Sequence, residues 1–188
     1  MNLPNALSVS RIPVVFLIAW LMTVNTPSAN LWALVLFVAS ALTDWLDGYL
    51  ARRLGLITDF GKFADALADK VLTTGLFISL AALDRLPENW GLFAVLVIVT
   101  REFMVTGLRL VAAGKGRVMA AEGLGKWKTA LQMVSIGMFL LVEVIPSGKP
   151  DLVVQCYHSA GIAFAAATLL TLVSGVSYFS KNREVFSG

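Results

Sequence analysis

Long apolar blocks separated by short polar joints make up nearly the whole chain. Runs of roughly 18 or more apolar residues, the length a helix needs to cross hydrocarbon, fall at Leu7–Val24, Leu31–Leu54, Phe63–Leu83, Trp90–Ala113, Trp127–Ile145 and Leu152–Phe179. Stretches such as LFAVLVIVT, residues 92 to 100, are apolar without the period-two alternation of a membrane β-barrel strand. The pattern predicts an all-α integral membrane protein: six transmembrane helices in one bundle, forming a single domain over residues 1–188.

Three joints are short and rich in turn residues: NTPSAN after the first run, DRLPEN after the third and PSGKPD after the fifth. They carry only Arg85 and Lys149 as cations, whereas the other two connections and their flanks hold Arg52, Arg53, Lys62, Lys115, Arg117, Lys126 and Lys128. By the positive-inside rule the basic side is cytoplasmic, so both termini are expected there, and Lys181 and Arg183 in the tail agree. The first run resembles a signal peptide in length, but no lysine precedes it and Arg11 already lies at its edge, so it reads as a retained span.

Composition sharpens the class. The chain is 188 residues long, 57% hydrophobic and 14% charged, with a mean hydropathy of +0.78, far more apolar than a water-soluble domain requires. A formal net charge of +3, gathered on one face, suits anionic headgroups and phosphorylated substrates and is too small for a nucleic-acid surface. The single cysteine, Cys156, rules out an intramolecular disulfide and any cysteine-rich metal site, and reads as a buried thiol.

Against this background the segment DWLDGYLARRLGLITDFGKFADALAD, residues 44 to 69, stands out. An aspartate at the centre of a membrane helix costs about 2.5–3.5 kcal/mol, yet Asp44, Asp47, Asp65 and Asp69 all lie within predicted spans. Spacings of three and four put each pair on one helical face. At ~1.5 Å per residue, Asp47 and Asp65 sit roughly 8–10 Å from the intervening loop, with Asp44 and Asp69 deeper at ~14–15 Å. Facing carboxylates at equal depth repel unless a cation or proton lies between them. With oxygen donors only, the cluster favours Mg²⁺ or Mn²⁺, and four carboxylates are enough to bridge two ions, as in phosphoryl chemistry. Arg52, Arg53 and Lys70 are the candidate counter-ions if the acids are instead paired structurally, and Asp59 reads as a solvated charge or helix cap.

Small residues frame the acids. Gly48 and Ala51 open a groove beside Asp47, Arg52 reaches the same groove, and Gly61 permits close approach from the opposite helix, together a cradle for a diphosphate; the alternative is that the small residues simply ease helix packing. Further on, Arg101 and Arg109 are eight residues apart in the fourth span, about 80° around the helix axis, and Lys126 and Lys128 open the fifth. These cations suit an anionic second substrate; the alternative is snorkelling to headgroups with a local Arg101–Glu102 pair.

The fixed positions Asp44, Asp47, Gly48, Ala51, Arg52, Gly61, Asp65 and Asp69, spread over the 26 residues of this segment, resemble the full signature of the CDP-alcohol phosphotransferases, membrane enzymes that join a CDP-activated group to an alcohol and release CMP. The resemblance implies six spans, Asp44, Asp47 and Asp65 as ligands of two divalent ions, Asp69 as catalytic base and further ligand, and a CDP pocket lined by Gly48, Ala51, Arg52 and Gly61. Asn5, Ser8 and Arg11 form a polar cluster before the first span that by the same analogy approaches the nucleotide. NLPNALSVSR, TDWLDGYLARR, ADKVL, TREFMVTGLR and GKWKTALQ are similar to bacterial phosphatidylglycerophosphate synthases. That similarity implies CDP-diacylglycerol and glycerol 3-phosphate as substrates, a multi-pass homodimer in the bacterial inner membrane, and an active site toward the cytoplasm. Ala66 follows Asp65 where those synthases commonly carry proline, and Ser8 replaces a usual threonine; neither change removes a group the chemistry needs.

Competing readings are a different acceptor (serine, inositol phosphate or phosphatidylglycerol) and, from another class, a divalent-cation transporter, which would place its acids near mid-membrane. GLGKWKT is not a nucleotide-binding glycine loop, because Trp127 follows Gly125-Lys126 where a serine or threonine is required. His158 reads as a packed or hydrogen-bonded residue, and Trp32, Trp90 and Trp127 as an interfacial belt.

Overall fold

The computed structural model describes residues 3–53, 58–115 and 123–182, with no strand among them. Six helices follow one another: α1 (Leu3–Val24), α2 (Pro27–Arg53), α3 (Asp59–Ala82), α4 (Gly91–Gly114), α5 (Gly123–Val142) and α6 (Pro150–Lys181). Each apolar run coincides with one helix. Most helices begin before the run does, because backbone hydrogen bonding does not stop where apolar side chains stop. The fifth ends early, at Val142: the Val144 and Ile145 amides turn back onto the Leu141 and Val142 carbonyls.

α1, α2, α4 and α6 are long and apolar enough to cross a membrane, which makes this a multi-pass membrane protein. α3 and α5 are less apolar because Asp65, Asp69 and Lys70 lie in one and Lys126, Lys128 and Gln132 in the other. The residues of chemical interest are therefore also those that dilute the spanning signal.

α1 packs against both α2 and α3, α5 runs along α6, and α4 packs on α6; smaller contacts of α2 with α5 and of α3 with α4 and α5 join these groups. Between them lies a core containing Ile18, Met22, Phe37, Leu72, Leu76, Phe77, Ile98, Phe139 and Phe164. Phe164 is its centre, with ring centroids of Phe77 at 4.9 Å, Trp90 at 5.2 Å and Phe139 at 6.0 Å. Trp90 thus departs from the interfacial belt: it stands before the first turn of α4 but stacks inward on Phe164. Trp32 and Trp127 remain exposed.

The outer surface is as apolar as the inside, with Phe103 and Ile162 each 72% exposed. Water would penalise such a surface; lipid does not. His158 belongs to this surface and is not packed, since Val154, His158 and Ile162 share one exposed face of α6 at helical spacing. Cys156 is half-buried, not fully buried, with its sulfur 3.8 Å from the Met138 carbonyl oxygen.

The end of the bundle remote from the acids is latched by polar contacts. Arg85 donates to the Met22 carbonyl at 3.1 Å and the Asn25 side chain at 2.8 Å, and its Nε lies 3.5 Å from Glu143. Asn25 and Asp84 adopt positive φ of 51° and 54°, which short polar side chains tolerate best among non-glycine residues.

Truncating Phe164→Ala should remove the hub of this aromatic cluster and lower stability by ~3–5 kcal/mol, read as a depressed unfolding midpoint in detergent. Ile162→Ala, on the lipid face of the same helix, should leave the midpoint essentially where it was.

Candidate active site

At the joint between α2 and α3 the start of α3 is set by Thr58. Its backbone is extended and its hydroxyl oxygen accepts the Gly61 amide at 3.0 Å, an ordinary N-cap. Asn5 of α1 donates to the same hydroxyl at 3.1 Å. A Cβ on Gly61 would lie only 2.5 Å from Asn5 Oδ1. Gly61 does permit a close approach, but the partner is α1 rather than the opposing acidic helix α2, because the Asn5–Thr58 contact draws the first turn of α1 onto that of α3. Asp59 is exposed in that turn and pairs with Lys62 at 3.0 Å.

Six residues beyond Asn5 along α1, nearly two helical turns, is Arg11, only 2% exposed in the side chain. Its guanidinium forks between two helices: Nη1 pairs with Asp44 on α2 and Nη2 with Asp65 on α3 at 2.6 Å. Neither Arg53 nor Lys70 plays this part. Arg53 donates to the Tyr49 hydroxyl at 3.3 Å, and Lys70 to Thr106 Oγ1 at 2.5 Å. The signal for Arg11 was present in the chain: it is the only charged residue before Asp44, and a lone cation in an apolar helix requires a counter-ion.

Asp44, Asp65 and Asp69 line one wall of a cavity of about 490 Å³, and Lys70, Arg101, Arg109, Lys126 and Lys128 line the remainder together with Glu102 and Tyr178. Five helices, α2 to α6, contribute to it. The acids face it from α2 and α3, the cations mainly from α4 and α5, so a bound molecule meets both signs of charge within one cavity. Gly48 is part-buried on α2, and Ser8 is buried on α1 close to Asn5 in sequence. The side chains of Asp47, Ala51 and Arg52, all within α2, lie outside the described residues. Among the described residues no three acidic, histidine or cysteine side chains are grouped tightly enough to hold a metal ion.

A family model for the CDP-alcohol phosphatidyltransferases matches residues 1–174. The chain belongs to that family. A Bacillus subtilis protein named CDP-diacylglycerol–glycerol-3-phosphate 3-phosphatidyltransferase is 42% identical, covering 97% of this chain and 96% of its own length. A protein of the same name from Rickettsia bellii is 34% identical over 98% of this chain and 97% of its own. A Mycobacterium tuberculosis protein named probable phosphatidylglycerophosphate synthase is 37% identical over 96% of this chain and 81% of its own.

In this family member the basic wall is organised by residues that sequence patterns leave inconspicuous. Glu102, 8% exposed, pairs with Lys128 and also with Arg101 Nη1 at 3.1 Å. The local Arg101–Glu102 pair weighed from the sequence therefore exists, but Glu102 serves two cations from two helices. Arg101 Nη2 also donates to Ser174 at 3.3 Å, and Arg109 Nε donates to the Tyr178 hydroxyl at 3.0 Å, both partners on α6. Lys126 is exposed at the rim of the cavity. What the sequence leaves unseen is the second partner of Glu102, Lys128, 26 residues away on another helix.

Replacing Glu102 with alanine would leave Arg101 and Lys128 buried beside each other without their shared carboxylate. A loss of ~3–5 kcal/mol is expected for breaking such a buried pair, measurable as a lower unfolding midpoint in detergent, whereas Lys126→Ala at the rim should shift the midpoint little.

Proposed function

We propose that the chain transfers the phosphatidyl group of CDP-diacylglycerol to glycerol 3-phosphate, yielding phosphatidylglycerol phosphate and CMP in phospholipid biosynthesis. The observation carrying this reading is the single cavity with carboxylates on one wall and cations on the other, in a family member whose relatives bear names stating that reaction. A nucleotide-activated lipid and a phosphorylated alcohol need those two kinds of wall.

All six helices span the bacterial inner membrane in this proposal, with both termini and the cavity on the cytoplasmic side, the side that the positive-inside rule assigns to the two connections whose sequences and flanks carry Arg52, Arg53, Lys62, Lys115 and Arg117. The lower apolarity of α3 and α5 is compatible with spanning, since their polar residues face the cavity or its neighbours rather than lipid. The donor enters sideways from the inner leaflet, its acyl chains staying on the lipid-facing side of the bundle.

The oxygen-only donors Asp44, Asp65 and Asp69 suit a hard divalent cation, and Arg11 already sets a positive charge against two of them. With Asp47 they would hold Mg²⁺ or Mn²⁺, in a pair. When bound, such ions neutralise the diphosphate and make its lipid-linked phosphorus more electrophilic. Gly48, Ala51, Arg52 and Gly61 would line the pocket for the CDP moiety, with Asn5, which packs on Gly61, and Ser8 beside it. Arg101, Arg109, Lys126 and Lys128 receive the phosphate of the acceptor. Asp69 accepts the proton of the acceptor's hydroxyl as its oxygen bonds to the lipid-linked phosphorus, and the bond from that phosphorus to CMP breaks. Arg11 remains against Asp44 and Asp65, limiting repulsion within the acid wall.

The deciding experiment incubates purified protein in detergent with CDP-diacylglycerol, a magnesium or manganese salt and one acceptor per tube: glycerol 3-phosphate, serine, inositol phosphate or phosphatidylglycerol. CMP should appear with glycerol 3-phosphate, and its appearance only with another acceptor would reassign the substrate. Asp69→Asn should fold normally yet lose ~10²–10⁴ in turnover, the usual worth of a general base; unchanged turnover removes that role. Arg109→Ala should raise the glycerol 3-phosphate KM much more than the KM for the lipid donor.

A further inference from the structure

α4 and α6 do not close against each other along their whole length. They leave a second cavity of about 650 Å³, open to the surface and lined mostly by apolar side chains, from Phe93 to Met104 on α4 and from Leu172 to Ser180 on α6. Eleven steps of ~1.5 Å from Phe93 to Met104 make the α4 side ~16 Å long, about half of a ~30 Å hydrocarbon core. That is the depth one acyl chain occupies in one leaflet.

Among the described residues Arg101 alone lines both this groove and the charged cavity. Gly175 makes that sharing possible: a Cβ there would meet Arg101 Cγ at 3.1 Å, so the arginine stem lies flat on α6. From that position the guanidinium turns into the charged cavity, toward Glu102 and Ser174. Its buried Nε has no hydrogen-bond partner among the described residues and stands at the junction of the apolar and charged spaces. A molecule with an anionic head and an apolar tail fits such a junction, because the head reaches into the charged cavity while the tail passes Arg101 into the groove.

We infer that the α4–α6 groove seats one acyl chain of the diacylglycerol donor, with Arg101 as the gatepost between chain and headgroup. This rests on the proposed reaction and adds to it a binding site for the lipid's apolar portion. The occupant is the donor rather than bulk lipid because the groove runs into the wall of the charged cavity. Its position also carries a consequence for specificity: chain length is sensed by α4 and α6, and acceptor identity by the cations beyond Arg101.

The test fills the groove. Val176→Trp and Met104→Trp each add bulk at a lipid-exposed lining position, and Ile162→Trp adds the same bulk to α6 outside it. CMP release is measured with CDP-dipalmitoylglycerol and with CDP-dihexanoylglycerol, at varied glycerol 3-phosphate. Each groove variant should raise the KM for the sixteen-carbon donor at least five-fold, keep the KM for glycerol 3-phosphate within two-fold, and show a much smaller change with the six-carbon donor. Ile162→Trp should match the wild type throughout.

Equal KM changes for both donors, or none in either groove variant, would overturn the acyl-chain assignment. So would a shift in oligomeric state on size-exclusion chromatography in both groove variants but not in Ile162→Trp, which would make the groove a contact between copies. Failure of the wild type to release CMP with glycerol 3-phosphate would instead reject the reaction itself, so the two outcomes are distinguishable.

Discussion

Charge can be buried in an apolar bundle only where each charge meets its opposite, and Arg11 is where this protein first satisfies that constraint. Its guanidinium leaves α1 and reaches carboxylates on both α2 and α3, binding three helices at the place where repulsion would otherwise push two of them apart. A planar fork with several donors can serve two acids at once, which a lysine ammonium does less well. The arrangement explains why α1 packs against both acidic helices, with the Asn5–Thr58 contact nearly two turns away along α1.

The opposite wall follows the same rule with the signs exchanged. Glu102 holds Arg101 and Lys128 together, and Tyr178 steadies Arg109. Such pairing costs desolvation and gives no guarantee of net stability. What it provides is placement: cations on α4 and α5 are kept facing a common space instead of reaching outward to headgroups. In the proposed reaction a phosphorylated acceptor entering that space would find its binding charges already oriented, which is how a site reduces the entropy cost of bringing two substrates together. The lipid-facing groove beside Arg101 shares that single arginine with the charged cavity, and in the proposed reaction the two surfaces would divide the apolar and anionic portions of one donor between them.

The departures from sequence expectation have a common cause. Trp90 stacks inward, His158 faces out and Gly61 is met by α1 because each depends on which helix lies opposite, and helical periodicity says nothing about neighbours. The counter-ion of the acids illustrates the same limit. Arg53 and Lys70 are close to the aspartates along the chain, whereas Arg11 is 33 residues from Asp44 and 54 from Asp65, and proximity in sequence is a poor guide once helices fold back on one another.

The order and extent of the six helices, the membrane class and the acidic signature with its small-residue frame were legible in the linear chain, because hydrophobic run length and i, i+3 or i+4 spacing are local properties that do not depend on neighbours. Tertiary structure decided the rest. It assigned Arg11 to the acids, gathered Arg101 and Lys128 on Glu102, and opened a groove between α4 and α6, since ion pairing and cavity shape belong to the distances between helices, and those exist only after the helices have packed.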